Sequence, residues 1–90
     1  MSLTTKEKQA LKGRAHKLKP VIMIGSNGVT ESVIKEVDRA LNDHELIKIR
    51  IQGADRDARL AMVEDIAGQS DAELVQLIGA IGVFYRKAQK

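Results

Sequence analysis

The sequence predicts a compact two-layer α/β sandwich, with elements in the order α-β-α-β-α-β-β and helices packed on a small mixed four-stranded sheet. Three observations carry that prediction. Ile47, Ile49 and Ile51 alternate with Lys48 and Arg50, the two-residue period of a half-buried strand with one wet, basic face. Three other stretches place apolar residues at helical spacing, the first behind a Thr and the third behind an Asp able to cap a helix. Two β-rich runs, 73–78 and 80–85, flank Gly79 near the end of the chain. Ninety residues suffice for one domain with a single modest core, taken to span about residues 4–86.

Thr4 and Glu7 form a candidate capping box, so the first helix is expected from about Thr5 to Lys17, with Leu11, Ala15 and Leu18 on one stripe. Pro20 disfavours helix at Lys19 and extends the chain. Val21–Ile24 then reads as a short, fully buried strand. A glycine loop, Gly25-Ser26-Asn27-Gly28, leads into a second helix from about Thr30 to Asn42, with Val33, Ile34, Val37 and Leu41 as its apolar face. The alternating strand at 45–51 follows and ends at Gly53. Asp55 or Asp57 caps a third helix that buries Met62, Val63, Ile66 and Ala67, with Gly68 suited to the position just past its end. Gly79 permits either a tight turn between the last two runs or a bend in one long strand.

Composition excludes several function classes. There is no cysteine, hence no disulfide and no thiolate zinc site, which fits a reducing compartment. The longest apolar run, 77–85, is about half of a bilayer span, and no apolar signal core follows Lys6 and Lys8. A soluble, cytoplasmic protein without membrane association is expected. The net charge of +3 is segregated: residues 1–19 carry +5, residues 86–90 carry +3, and residues 20–85 carry −5. A basic surface against an acidic remainder suits a polyanionic partner.

The glycine loop has the G-x-x-G form with which some modules clamp a nucleic-acid backbone, and amides at the start of the following helix favour an anion. It is neither a Walker loop nor a dinucleotide fingerprint. Glu31, in the first turn of that helix, counts against a tightly held phosphate. Asn-Gly is also a common turn dipeptide, so the loop alone decides little. The first helix adds weight. Lys8, Lys12, His16 and, if the helical path persists, Lys19 fall within one quadrant at the rim of the apolar stripe. A basic helix edge beside an amide-rich loop suits a phosphodiester chain. His16 belongs to that polar edge, since no Ser, Asp or second His is spaced to partner it. His44 caps the end of the second helix. No acid pair is spaced with a His as metal ligands. No catalytic constellation survives, so the chain is expected to be no enzyme and to need no cofactor. With Phe84 and Tyr85 its only aromatics, it cannot supply a base-stacking platform of the RRM kind. Binding would be led by backbone, shape and charge.

The segment LKGRAHKLKPVIMIGSNGVTESVIKEVDRALNDHELIKIRI, followed by LVQLIGAIGVFYR, resembles the CRM (chloroplast RNA splicing and ribosome maturation) domain in its bacterial single-domain form, the YhbY family. The resemblance runs from about Thr4 to Arg86. Its most specific parts are Lys19-Pro20, the loop Gly25–Gly28, His44–Lys48, and Gly79 with Tyr85-Arg86. It implies an α/β sandwich similar to the RNA-binding domain of a bacterial initiation factor, and RNA binding as the activity. For bacterial members it implies ribosomal RNA in large-subunit precursors, and for plant members group II introns. Carried onto this sequence, Gly25, Ser26, Asn27 and Gly28 would touch the RNA backbone. Lys12, His16 and Lys19 would form the adjoining basic surface, with Arg86 a further contributor. Lys87 stands where a proline often follows in the family. The expected protein is an RNA-binding monomer acting in ribosome assembly. The alternatives are a protein–protein adaptor on ribosomal particles, group II intron binding, and a small-molecule phosphate-binding domain.

Overall fold

The computed structural model describes residues 3–25 and 27–87. Its elements are α1 (Thr5–Ala15), β1 (Ile22–Ile24), α2 (Glu31–His44), β2 (Leu46–Ile51), α3 (Arg56–Ser70), β3 (Glu73–Ile78) and β4 (Ile81–Tyr85). The order is the one the sequence predicts. The four strands form one mixed sheet in the order β1-β2-β4-β3. β1 runs parallel to β2, so β1-α2-β2 is a crossover unit, while β4 lies antiparallel to both of its neighbours.

The period-two pattern of β2 decides which face is which. Ile47, Ile49 and Ile51 point to one side and join Ile22, Ile24 and Phe84 in a cluster with Val37 and Leu41 of α2 and Val63 and Ile66 of α3. This is the expected sandwich. α1 adds a partial third layer on the opposite face, where Leu11 and Ala15 pack on Leu46, Val75 and Val83. That layer is partial for a chemical reason. Leu46 is apolar, but Lys48 and Arg50, further along the same face of β2, are not. α1 therefore covers the Leu46 end and leaves the rest open.

Local differences from the sequence expectation have identifiable causes. The capping box is present: Glu7 N–H donates to Thr4 Oγ1 at 3.1 Å and Thr4 N–H donates to Glu7 Oε1 at 3.0 Å. α1 nevertheless stops at Ala15, two residues earlier than expected. The chain turns there, with Leu18 N–H donating to Ala15 O at 2.9 Å, and Leu18 leaves the apolar stripe. β1 is an edge strand with alternating burial, not a fully buried run. Val21 and Met23 face outward because α1 does not reach across to them. α3 runs through Gly68 to Ser70. Asp71 closes it in the left-handed region (φ 53), a conformation that Asp tolerates better than most residues. Asp55 is the cap of α3, accepting from Ala58 N–H at 2.8 Å. Gly79 and Ala80 make a tight turn between β3 and β4, with Gly79 at φ +55. One glycine acts through its missing side chain. A Cβ on Gly82 would stand 2.9 Å from Phe84 Cε1 and 3.1 Å from Val63 Cγ1, so its absence lets α3 and Phe84 close over β4.

Candidate nucleic-acid interface

The glycine loop leaves β1 at the end of the sheet where β2 also ends, with Ile24 opposite Ile51. Gln52 N–H donates to Ile24 O at 2.9 Å, and Ile51 N–H donates to Ala80 O at 2.7 Å. These bonds bring the glycine loop, the β2 exit and the β3–β4 turn to one end of the molecule. Within the loop, Gly28 N–H donates to Gly25 O at 3.0 Å, a tight turn. The two glycines have different reasons to be glycine. Gly28 sits at φ +69, a left-handed conformation that other residues adopt only with strain, so the fold itself calls for it. Gly25 has no such φ, and a Cβ built on it has no atom within 4 Å. Asn27 is exposed between them, and Ser26 lies outside the described residues. Of the amides expected to face the loop, that of Val33 is already taken by the capping Thr30 Oγ1 at 3.2 Å.

The basic row predicted on the first helix is divided by the turn after Ala15. Lys12 and His16 line a groove of about 200 Å³ on one side of α1, together with Lys48 of β2 and Gln76, Ile78 and Ile81 of β3 and β4. Lys19 lies on the other side of α1, in a groove of about 350 Å³ with Arg14, His44, Leu18 and Val21. α1 is thus a cationic ridge between two grooves. The open face of β2 continues from Lys48 to the exposed Arg50 and on to the end that carries the glycine loop. At the rise of an extended strand, Lys48 is about 10 Å along the sheet from Ile51, level with the start of that loop. Met23 pairs with Arg50 across β1 and β2 and is 61% exposed. The opposite layer differs in charge: α2 carries Glu31, Glu36, Asp38 and Asp43 against Lys35 and Arg39.

Arg86 is not part of this surface. Its Nη1 donates to Asp38 Oδ1 and to Ser70 O, both at 2.7 Å, and its Nη2 donates to Asn42 Oδ1 at 2.9 Å and Asp38 O at 3.0 Å. The side chain is 12% exposed. It fastens the end of β4 to α2 and to the last turn of α3. Sequence pattern alone could not distinguish this inward guanidinium from a surface cation.

Three groove residues had no clear sequence signal. Ile81 faces α1 by the alternation of β4 with Val83, and a bulge at Val75 shifts the β3–β4 register between Leu74 and Gln76 so that Gln76 and Ile78 join it there. Lys48 was legible as a basic residue on a wet strand face, but not as the neighbour of Lys12. Among titratable groups, Glu7 has its carboxyl lowered below the usual 4.5, first by the Thr4 backbone N–H and then by the Thr4 hydroxyl. Among the described residues, no three His, Asp or Glu side chains cluster to hold a metal ion, and no helix is long and apolar enough to cross a membrane.

This geometry defines a class: small α/β domains that present a glycine turn at the end of a sheet and a cationic helix over its open face. Residues 3–86 match the CRS1 / YhbY (CRM) domain, and the chain belongs to that family. It is 48% identical over 89 residues to an RNA-binding protein of Haemophilus influenzae, covering 99% of this chain and 90% of that one. It is 47% identical over 90 residues to a probable RNA-binding protein of Pseudomonas aeruginosa, covering 100% and 86%. The fold matches the solution structure of a Staphylococcus aureus protein proposed to bind RNA, with a TM-score of 0.87, 35% identity, and coverage of 99% and 93%.

Proposed function

We propose that this chain is a non-catalytic RNA-binding module that acts as a cytoplasmic monomer in assembly of the large ribosomal subunit. The loop Gly25–Gly28 would lie against the RNA backbone, and the cations of α1 and β2 would supply counter-charge. The observation that carries this reading is Gly25. The fold leaves the space over it open and asks no left-handed dihedral of it, which leaves room for an RNA backbone to come close to the loop. Lys12, His16, Lys48 and Arg50 lie along the path between α1 and that loop, in keeping with a polyanion as the visitor. RNA binding is also what the relatives' names state of them, and the ribosomal role follows the family resemblance.

The test is a sucrose gradient of cell lysate, probing each fraction for the native protein and for Gly25→Asp, whose fold is checked by melting temperature. Co-migration of the native protein with large-subunit precursors, and its loss in the folded variant, supports the reading. Equal co-migration of both forms overturns the loop's role.

One observation favours a second reading, an adaptor that binds a ribosomal protein. Val21, Met23 and Ile78 are exposed apolar side chains. Pull-down before and after ribonuclease separates the two, because an adaptor keeps its partner after digestion.

A further inference from the structure

The groove between α1 and the β3–β4 hairpin has a composition that backbone binding alone does not need. Lys12, His16 and Lys48 stand along it, Gln76 contributes a side-chain amide, and Ile78 and Ile81 form an apolar wall. Among the described residues, no carboxylate lines it. Ile78 is 58% exposed at the tip of β3, directly opposite Ile81 in the strand pairing. α1 packs on Leu46, Val75 and Val83 and leaves Ile78 uncovered, so Ile78 and Ile81 form an apolar strip beside two lysines. The volume, about 200 Å³, is below that of a pocket for a drug-sized ligand and leaves room for one small group.

Resting on the RNA reading above, we propose that this groove seats one unpaired nucleobase. The base would lie against Ile78 and Ile81, the Gln76 amide would meet its polar edge with one donor and one acceptor, and Lys12 and Lys48 would pair with the flanking phosphates. The partner class is therefore single-stranded or looped RNA, because a duplex keeps its bases stacked inside. The protein has no aromatic side chain on this face beyond the partly buried Tyr85, so the aliphatic pair takes the place of a stacking ring. An interaction of that kind is weak and tolerant of base identity.

The experiment follows the methyl resonances of Ile78 and Ile81 and the amide resonances of Gly25 and Gly28. A mixed-sequence single-stranded oligoribonucleotide is added first, then a ribose-phosphate strand of equal length lacking bases. The expected result is that the first probe moves the methyls and the loop amides, while the second moves the loop amides alone. The Ile78→Ser variant, confirmed as folded, should bind the oligoribonucleotide about fivefold more weakly, the low end for removing a side chain that packs on a base, and bind the base-free strand unchanged. Ile78→Met should restore the affinity.

If the methyls stay still while the loop amides move, the base pocket is wrong and RNA binding stands. If neither set moves with either probe, the RNA reading fails and the pocket fails with it. If the base-free strand, a duplex of the same sequence or poly-glutamate shifts the methyls equally, the groove reads charge or an acidic protein segment, and the proposal is overturned.

Discussion

The two faces of the sheet use the same four strands for opposite purposes. On the α2/α3 face, six strand side chains and four helix side chains close into one buried cluster. On the α1 face, Leu11, Ala15, Leu46, Val75 and Val83 are the buried cluster among the described residues, and around them stand Lys12, His16, Lys48, Arg50, Gln76 and part-exposed aliphatic groups. The packed face fixes the shape, and the open face is held in position without having to contribute much stability itself. Charge follows the same division, with the cations of α1 and β2 on one side and most of the carboxylates on the helices of the other. Substitutions should therefore sort by face: those on the first should unfold the protein, and those on the second should change what it binds.

The largest effect is expected at Phe84, fully buried at the centre of the packed face. Phe84→Ala should cost about 3–5 kcal/mol and leave little folded protein at physiological temperature, measured by urea denaturation. Arg86→Ala should cost about 2–3 kcal/mol by removing four hydrogen bonds, leaving the affinity of the folded fraction for RNA unchanged. A loss of affinity without a loss of stability would move Arg86 to the other side of the comparison.

Lys12→Ala with Lys48→Ala should do the reverse. Stability should stay within about 0.5 kcal/mol, while the log–log salt dependence of binding to single-stranded RNA flattens by roughly 1.4, about 0.7 for each phosphate no longer neutralised. An unchanged slope with weakened binding would mean that these lysines act through the fold. The smallest effect is at the α1 cap. Glu7 has a depressed pKa in the folded state, so its contribution is fully present above its unfolded value near 4.5 and fades as pH falls through the lower folded value. Amide exchange in the first turn of α1 should accelerate below that range, and Glu7→Gln should remove the pH dependence.

The sequence carried most of the packed face openly. Its strand period, helix periods and Thr or Asp caps are local signals, and local signals survive folding. The α1 face was harder to read. Whether Lys19 continues the row of Lys12 and His16 depends on where α1 ends, and the turn after Ala15 is settled by tertiary packing. The bulge at Val75 leaves no mark in composition, so Gln76, Ile78 and Ile81 could not be assigned to one groove in advance. Arg86 looked like any terminal cation until its three partners on α2 and α3 came together around it. Gly25 and Gly28 were equivalent as letters, and only the backbone around each separates a glycine the fold requires from one it does not.

The strand order also governs how the chain can fold as it is made. β4, synthesised after β1, β2 and β3, lies inside the sheet between β2 and β3. Until residues 81–85 emerge, β2 has an unpaired inner edge, Phe84 is missing from the core and β3 has no partner. The β1-α2-β2 unit can gather early, but its apolar face stays open to other chains for that interval. Completion then comes in one late step, when a single hairpin fills the gap in the sheet and Arg86 latches it to α2 and α3.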